Sequence, residues 1–359
     1  MTCLKLHSKP LVIFVSMDKS SKNILVTGGA GYIGSHTVVS LIEEGFNPII
    51  LDDFRNAQTD VIDRLEKIVG RKLTVVKKSC DDLSALNKLF NQISFWGVIH
   101  FAADKAVGES VKDPLKYFDN NIGGLITLLK AMQANAINRL VFSSSCTVYG
   151  DPENIPVTEE SIVSYASPYG FTKLMNEQML TQFADANTDF EVVLLRYFNP
   201  IGAHKSALIG ETPQGEPTNL LPYLTQTASG ERDVLTVYGD DYETPDGTCI
   251  RDYIHVMDLA DAHVAALNYL HKSTSNNLSI FNVGTGKGTS VKEMIDCFEK
   301  ACNVPLNWKI GPRRVGDVPA IYAKVDKANK ELNWNAKYSV DEAIADAWKY
   351  ELERKKRMK

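Results

Sequence analysis

Tyr169 and Lys173 stand four residues apart in the stretch Ser167-Pro168-Tyr169-Gly170-Phe171-Thr172-Lys173. On a helix that spacing puts both side chains on one face, and Pro168 suits the first turn. An ammonium beside a phenol favours the phenolate, so Lys173 is expected to draw the pKa of Tyr169 down towards physiological pH. A tyrosinate can take a proton from a sugar or alcohol hydroxyl while hydride leaves the same carbon. Ser145, in Ser143-Ser144-Ser145-Cys146-Thr147, is the third candidate, a hydroxyl that would bond and orient the reacting oxygen. A Tyr/Lys pair at this spacing also arises by chance on solvated helices, so it means catalysis only beside a hydride acceptor.

Such an acceptor has its place near the start of the chain. The apolar run Asn23–Thr27 leads into Gly28-Gly29-Ala30-Gly31-Tyr32-Ile33-Gly34, with glycines three apart ahead of a helical period. Gly28 allows a tight turn, Gly31 lets the backbone approach a pyrophosphate, and Gly34 lets the helix close on the sheet. The phosphates would sit on the free N–H groups of the helix N-terminus. The next apolar run ends at Leu51-Asp52-Asp53, where a carboxylate accepts both ribose hydroxyls of NAD and repels the 2′-phosphate of NADP. NAD is therefore the expected cofactor, with Asp52 and Asp53 both open as its ribose ligand.

These groups need a scaffold that brings strand ends together. Asn23–Thr27, Pro48–Leu51, Leu73–Val76, Gly97–Phe101, Arg139–Ser143 and Glu191–Arg196 read as short strands buried on both faces. Helical periods such as Ser35–Glu44 and Leu83–Gln92 lie between them. Strand and helix in alternation predict an α/β fold, a Rossmann-type doubly wound parallel sheet with right-handed crossovers, over residues 22–199. After Asn199, prolines and glycines cluster as far as Gly247. A helix near Val256–Leu270, a strand at Ser279–Val283 and a helix near Ser290–Cys302 follow. Residues 200–350 are expected to form mainly a smaller substrate-binding lobe, with part of 250–275 returning to the first domain. Residues 351–359 form a basic tail, and Arg354–Lys359 is expected to be a frayed, solvated helix end.

Composition narrows the function further. A net charge of −5 excludes a strongly basic surface, so neither nucleic acid nor anionic membrane is expected as a partner. No run of about 18 apolar residues marks a membrane span. The six cysteines form no CxxC and no Cys/His cluster with zinc spacing, so no metal site is expected and a reducing, cytoplasmic setting is favoured. In residues 1–21 the apolar part Leu11–Val15 is short, and no small-residue cleavage site follows before Lys19. A disordered leader, or a true start at Met17, is the expectation there.

Taken together, these motifs resemble the extended short-chain dehydrogenase/reductase superfamily. Within it the chain is similar to the UDP-glucose (UDP-galactose) 4-epimerase family. The likeness rests on Thr27–His36, Lys105-Ala106-Val107-Gly108-Glu109-Ser110, Leu195-Arg196-Tyr197-Phe198-Asn199-Pro200 and Arg251-Asp252-Tyr253-Ile254-His255-Val256, and covers roughly residues 22–348. It implies reversible C4 epimerisation of UDP-galactose and UDP-glucose through a 4-keto sugar, with Tyr169 as acid and base, retained NAD and no net redox change. It also implies a homodimer formed through helices near Tyr169.

The resemblance further implies site residues. On the cofactor side these are Tyr32, Ile33, Asn56, Phe101, Ala102, Lys105, Asn120 and Phe198, beside the glycines, the two aspartates and the catalytic three. On the nucleotide-sugar side they are Asn199, Asn219, Leu220, Thr236, Val237, Tyr238, Arg251, Arg314 and Asp317, together with Ser145 and Tyr169. Arg251 and Arg314 suit a diphosphate, since one guanidinium can bond two oxygens.

Three positions depart from the family pattern. Asp104 stands where many relatives have an apolar residue. Ser79-Cys80-Asp81-Asp82 fits poorly, so Asp81 and Asp82 are both candidates for the adenine contact. Ile321 stands where some relatives carry an aromatic residue associated with excluding N-acetyl groups, which leaves UDP-N-acetylhexosamines open as substrates. Two rival readings share the fold. A nucleotide-sugar 4,6-dehydratase needs an acid and base near the Thr, and Cys146-Thr147-Val148-Tyr149 has no carboxylate. A non-catalytic NAD-binding sensor would have no need of Ser145, Tyr169 and Lys173 together.

Overall fold

The computed structural model describes residues 22–272, 277–314 and 316–358; the leader expected at residues 1–21 lies outside the described residues. Seven parallel strands form the main sheet in the order Leu278–Val283, Glu191–Tyr197, Arg139–Ser145, Gly97–His100, Asn23–Thr27, Asn47–Leu51 and Thr74–Val76. The chain starts in the middle, winds outward to Thr74–Val76, and returns to the other side of the first strand. The strand order therefore reverses between Asn23–Thr27 and Gly97–His100, and a crevice opens beyond their C-terminal ends.

The continuous apolar runs follow from burial on two faces. Ile24, Val26, Ile99, Val141, Val193 and Leu195 point into one core layer, with Val38 and Leu41 of helix Tyr32–Glu43 and Leu259 and Leu267 of helix Val256–His271. Their neighbours Leu25, Val98, Leu140, Phe142, Val192 and Leu194 point into the opposite layer. There they meet Leu86 of Leu83–Gln92, Leu125 and Leu128 of Gly124–Ala134, and Leu180 of Pro168–Ala186. Strand side chains alternate between faces, so only an all-apolar run satisfies both layers. Each such side chain contributes about 1.5–3 kcal/mol by leaving water.

Two expectations need correction. The strand read at Ser279–Val283 as part of the second lobe is the edge of the main sheet, paired along Glu191–Tyr197. Helix Val256–His271 is the crossover that delivers it, so the chain crosses between lobes more than once. The basic tail is not frayed, although Lys356, Arg357 and Met358 are exposed as expected of a solvated helix end. It forms the last turns of helix Val340–Met358. Arg354 Nε donates to Glu351 Oε2 at 2.8 Å, Arg354 also pairs with Glu231, and Arg357 reaches the Ala207 carbonyl at 3.2 Å. Arg354 and Lys355 meet acceptors outside the helix, at Glu231 and the Ser229 carbonyl, as well as its own carbonyl end, which docks them.

The smaller lobe is built from short pairings. Leu235–Tyr238 runs parallel to Trp308–Gly311, and Ile250–Arg251 lies between Thr289–Ser290 and Ala320–Ile321. Helices Leu220–Ala228, Val291–Cys302 and Val340–Met358 close a core around Leu221, Leu224, Val237, Phe298 and Ile344. Ser290 starts Val291–Cys302 with a capping box to Glu293.

Candidate active site

The first strand ends in a backbone that only glycine adopts easily. Gly28 has φ +70°, and a Cβ there would lie 2.8 Å from the Ala102 amide nitrogen. A Cβ on Gly34 would lie 2.2 Å from the Gly28 carbonyl oxygen, so the helix closes on the turn only without a side chain. No side chain caps the helix that follows at Gly31, and its first turn holds no acid, so its leading N–H groups meet the cavity bare. That is the arrangement a pyrophosphate needs.

Asp52 and Asp53 divide the work at the end of Asn47–Leu51. Asp52 accepts the Ala30 N–H at 2.9 Å and the Phe54 N–H at 2.8 Å, stitching the glycine turn to the second strand. Burial raises its pKa, and those two N–H bonds oppose the rise. Asp53 accepts the Arg55 amide at 2.9 Å and pairs with Arg55 Nε at 2.6 Å. Both aspartates line one cavity of about 540 Å³.

The same cavity reaches the catalytic candidates. Its walls include Gly28, Gly31, Tyr32, Ile33, Gly34, Asn56, Phe101, Ala102, Lys105, Asn120, Tyr169 and Lys173. Ser167 caps helix Pro168–Ala186 by accepting the Gly170 N–H at 3.1 Å, with Pro168 in its first turn. That cap sets Tyr169 and Lys173 facing the sheet, both buried. Lys173 Nζ donates to the Ser143 carbonyl at 2.7 Å and stands 6.0 Å from the centre of the Tyr169 ring. Ser145 ends its strand beside the phenol, and its hydroxyl accepts the Thr147 N–H at 3.3 Å.

The proton chemistry differs from expectation. Burial pushes the Tyr169 phenol up to about 12, and the hydrogen bond to Ser145 only partly opposes this. Burial also lowers Lys173 to about 8, while the Glu177 carboxylate holds it up. Burial is the largest cause in both groups, and it opposes the charged form of each. A positive charge brought next to the phenol would lower it again.

Behind this pair lies a buried brace. Arg196 Nη2 meets Glu177 Oε2 at 2.7 Å, and Ser144 donates to Glu177 Oε1 at 2.5 Å. Arg196 Nη1 donates to the Tyr149 hydroxyl at 3.1 Å, and that hydroxyl donates to Asn282 at 2.6 Å. Helix, three strands and the turn after Ser145 are thereby locked together.

Other sequence candidates are placed as follows. Asp82 caps helix Leu83–Gln92 through the Ala85 N–H at 2.9 Å and pairs with Lys78 at 3.0 Å. Neither Asp81 nor Asp82 lines the cavity; Lys78, Ser79 and Cys80 do. Capping the helix turns Asp82 away from the cavity, and Asp81 does not border it either. Asp104 lines the cavity, accepts from Asn56 Nδ2 at 3.3 Å, and keeps a buried Oδ2 without a partner. Phe198 and Ile321 pack together with Val148, Tyr149 and Val157 rather than in the cavity wall.

The nucleotide-sugar candidates gather in the smaller lobe. Asp317 faces both Arg314, at 2.8 Å, and Arg251, at 3.8 Å. Arg314 lies over the Tyr238 ring at 5.7 Å, on the strand that also carries Thr236 and Val237. Arg251 is close enough to Cys146, next to Ser145, to lower the thiol's pKa against the larger effect of burial. Asn219 begins helix Leu220–Ala228 without a side-chain cap, and its own amide donates to Glu211 at 2.7 Å. Asn199 Oδ1 and Thr147 Oγ1 are buried with no partner.

Sequence reasoning missed Glu211, which pairs with Lys105 at 3.0 Å across the cavity, and Arg55, Tyr197 and Gln214 in its wall. Tyr197 stood inside a quoted motif; Glu211 and Gln214 sit in an irregular loop with no periodicity to mark them.

A family described as GDP-mannose 4,6 dehydratase matches residues 25–347. A UDP-glucose 4-epimerase of Cyamopsis tetragonoloba is 48% identical over 92% of this chain and 95% of its own. The UDP-glucose 4-epimerase of Bifidobacterium longum, solved with NAD+ and UDP, is 43% identical with TM-score 0.90, over 93% of this chain and 99% of that one. The Stenotrophomonas maltophila UDP-glucose 4-epimerase, solved with NAD and formylated UDP-arabinopyranose, is 45% identical with TM-score 0.91 over the same shares.

Proposed function

The chain belongs to the UDP-glucose 4-epimerase family, and from that premise we propose that it interconverts UDP-galactose and UDP-glucose by reversible oxidation at C4. The observation that carries this reading is that Tyr169 and Lys173 line the same cavity as the glycine turn. The residues there fit NAD: a cradle without Cβ atoms, an uncapped helix N-terminus and carboxylates at the second strand end. When bound, NAD would supply a reversible hydride acceptor for C4 and, in its nicotinamide, a positive charge near the phenol.

The chain's own groups then handle the proton. Ser145 holds O4 of the sugar, and Tyr169 takes the proton from O4 and later returns it. Lys173, fixed by the Ser143 carbonyl, keeps positive charge beside the phenol. Arg251, Arg314, the open start of helix Leu220–Ala228 and Thr236–Tyr238 would grip UDP. That grip leaves the 4-keto sugar free to turn its other face before reduction. Asn199 and Thr147 offer unpaired buried acceptors on the sugar side.

A 4,6-dehydratase reading follows from the matched family's description, but elimination needs an acid and a base where this chain has Cys146 and Thr147. Purified protein incubated with UDP-galactose and no added NAD should form UDP-glucose to a fixed mixture by proton NMR. A keto-deoxy product would replace the epimerase reading with the dehydratase. No product even with NAD supplied would refute both.

Three finer readings go with this. Ile321, in place of an aromatic residue, leaves UDP-N-acetylhexosamines open as further substrates, although it packs in an apolar cluster outside the cavity wall. Val111 and Leu115 are exposed on short helices packed beside Pro168–Ala186, which supports a homodimer through that face. Cys80, Cys146, Cys249, Cys297 and Cys302 are all free thiols, which supports a cytoplasmic setting. Among the described residues no helix is long and apolar enough to cross a membrane.

A further inference from the structure

The cavity has an end that the catalytic assignment does not use. With pyrophosphate on the glycine turn and ribose at Asp52–Asp53, adenine must lie beyond them, against Lys78, Ser79 and Cys80. No carboxylate from that third-strand loop reaches it. Arg55 spans the gap instead. Its Nε meets Asp53 at 2.6 Å, Nη1 donates to Asn120 Oδ1 at 3.0 Å, and Nη2 to Ser79 Oγ at 3.4 Å. These acceptors come from three separate segments bordering the cavity. Partial burial lowers the Arg55 pKa, but Asp53, with Asp104 and Asp81 nearby, more than offsets this. Three of the five guanidinium N–H groups are thereby fixed and the plane is held rigid. A fixed, charge-compensated guanidinium plane stacks well on a flat heteroaromatic ring.

We propose that Arg55 is the clasp of the adenosine half: its guanidinium plane covers the adenine face and slows release of NAD. The inference rests on NAD as the cofactor, so the parent protein is measured first. NAD is quantified per chain after acid release, and its escape into cofactor-free buffer is timed for the parent, Arg55→Ala and Arg55→Lys. The Ala variant should release NAD about 10-fold faster. The Lys variant should behave likewise, because an ammonium has neither plane nor fork. Nicotinamide mononucleotide, which lacks adenosine, should bind parent and variants alike.

Release at the parental rate from Arg55→Ala overturns the proposal. Parental retention by Arg55→Lys beside fast release from Arg55→Ala would make charge, not the plane, the cause and overturn the stacking. Equal loss of both ligands would reveal a general defect and overturn it too. A parent that binds no NAD would defeat the cofactor reading itself, and this inference with it.

Discussion

Replacing Lys173 by Met removes a buried charge while keeping a chain of similar length, and the structure fixes how stability should respond to pH. An unfolded lysine titrates at 10.5, whereas Lys173 in its cavity does so at about 8. At 3% exposure no solvent screening discounts that difference. The gap corresponds to about 3 kcal/mol against the folded protein wherever lysine is charged in both states. Below pH 8 that penalty is present in full. Between about 8 and 10.5 the unfolded chain holds one proton more than the native one, so the parent's stability climbs with pH. Lys173→Met has no such group. Its stability relative to the parent should therefore be about 3 kcal/mol more favourable at pH 7 than at pH 10.5. Losing the bond to the Ser143 carbonyl shifts both ends of that comparison equally and cancels. Urea unfolding of both proteins across this range, each stripped of NAD, gives the double difference. A relative stability flat in pH would refute the assignment of Lys173 as a strained, desolvated cation. Meanwhile turnover should fall at every pH.

Tyr169→Phe should cut turnover of UDP-galactose by roughly 10²–10⁴ while the protein still purifies with NAD; full activity by NMR would remove Tyr169 from proton transfer. Arg314→Ala should raise KM for UDP-galactose roughly 10- to 100-fold with kcat nearly kept, since the lost bonds are to a charged group. A fall in kcat alone in steady-state kinetics would contradict its placement on UDP. Gly28→Ala meets both a left-handed backbone and the Ala102 amide, so it should lose at least about 1 kcal/mol and most of its NAD. Calorimetry together with cofactor content checks this.

Much of this was legible because local pattern and tertiary environment agree. Asn23–Thr27 and Leu83–Gln92 appear at the bounds their periodicity predicts, since one is buried on two faces and the other on one. The spacing of Tyr169 and Lys173 gave their shared face, but not their proton affinities, which depend on how completely the surrounding core excludes water. Asp82 illustrates a second blind spot. An aspartate after a strand looks the same whether it turns to a ligand or caps the next helix. Leu278–Val283 was recognisable as a strand, yet its place in the main sheet depends on a partner some eighty residues earlier. Glu211 lies in a loop, where no repeat exposes what a side chain reaches.

Helix Pro168–Ala186 carries Tyr169, Lys173 and Glu177 at every fourth position, all buried. The proposed proton carrier, its neighbouring cation and the anchoring carboxylate thus share a single reading frame along one rod. Inserting one residue after Tyr169 would rotate everything beyond it by about 100°. Lys173 would swing away from Ser143 and Glu177 would abandon Arg196 in the same movement. Substitutions can test these roles one at a time, but a change of length cannot separate them. In this helix, the catalytic function and the integrity of the fold stand or fall by register.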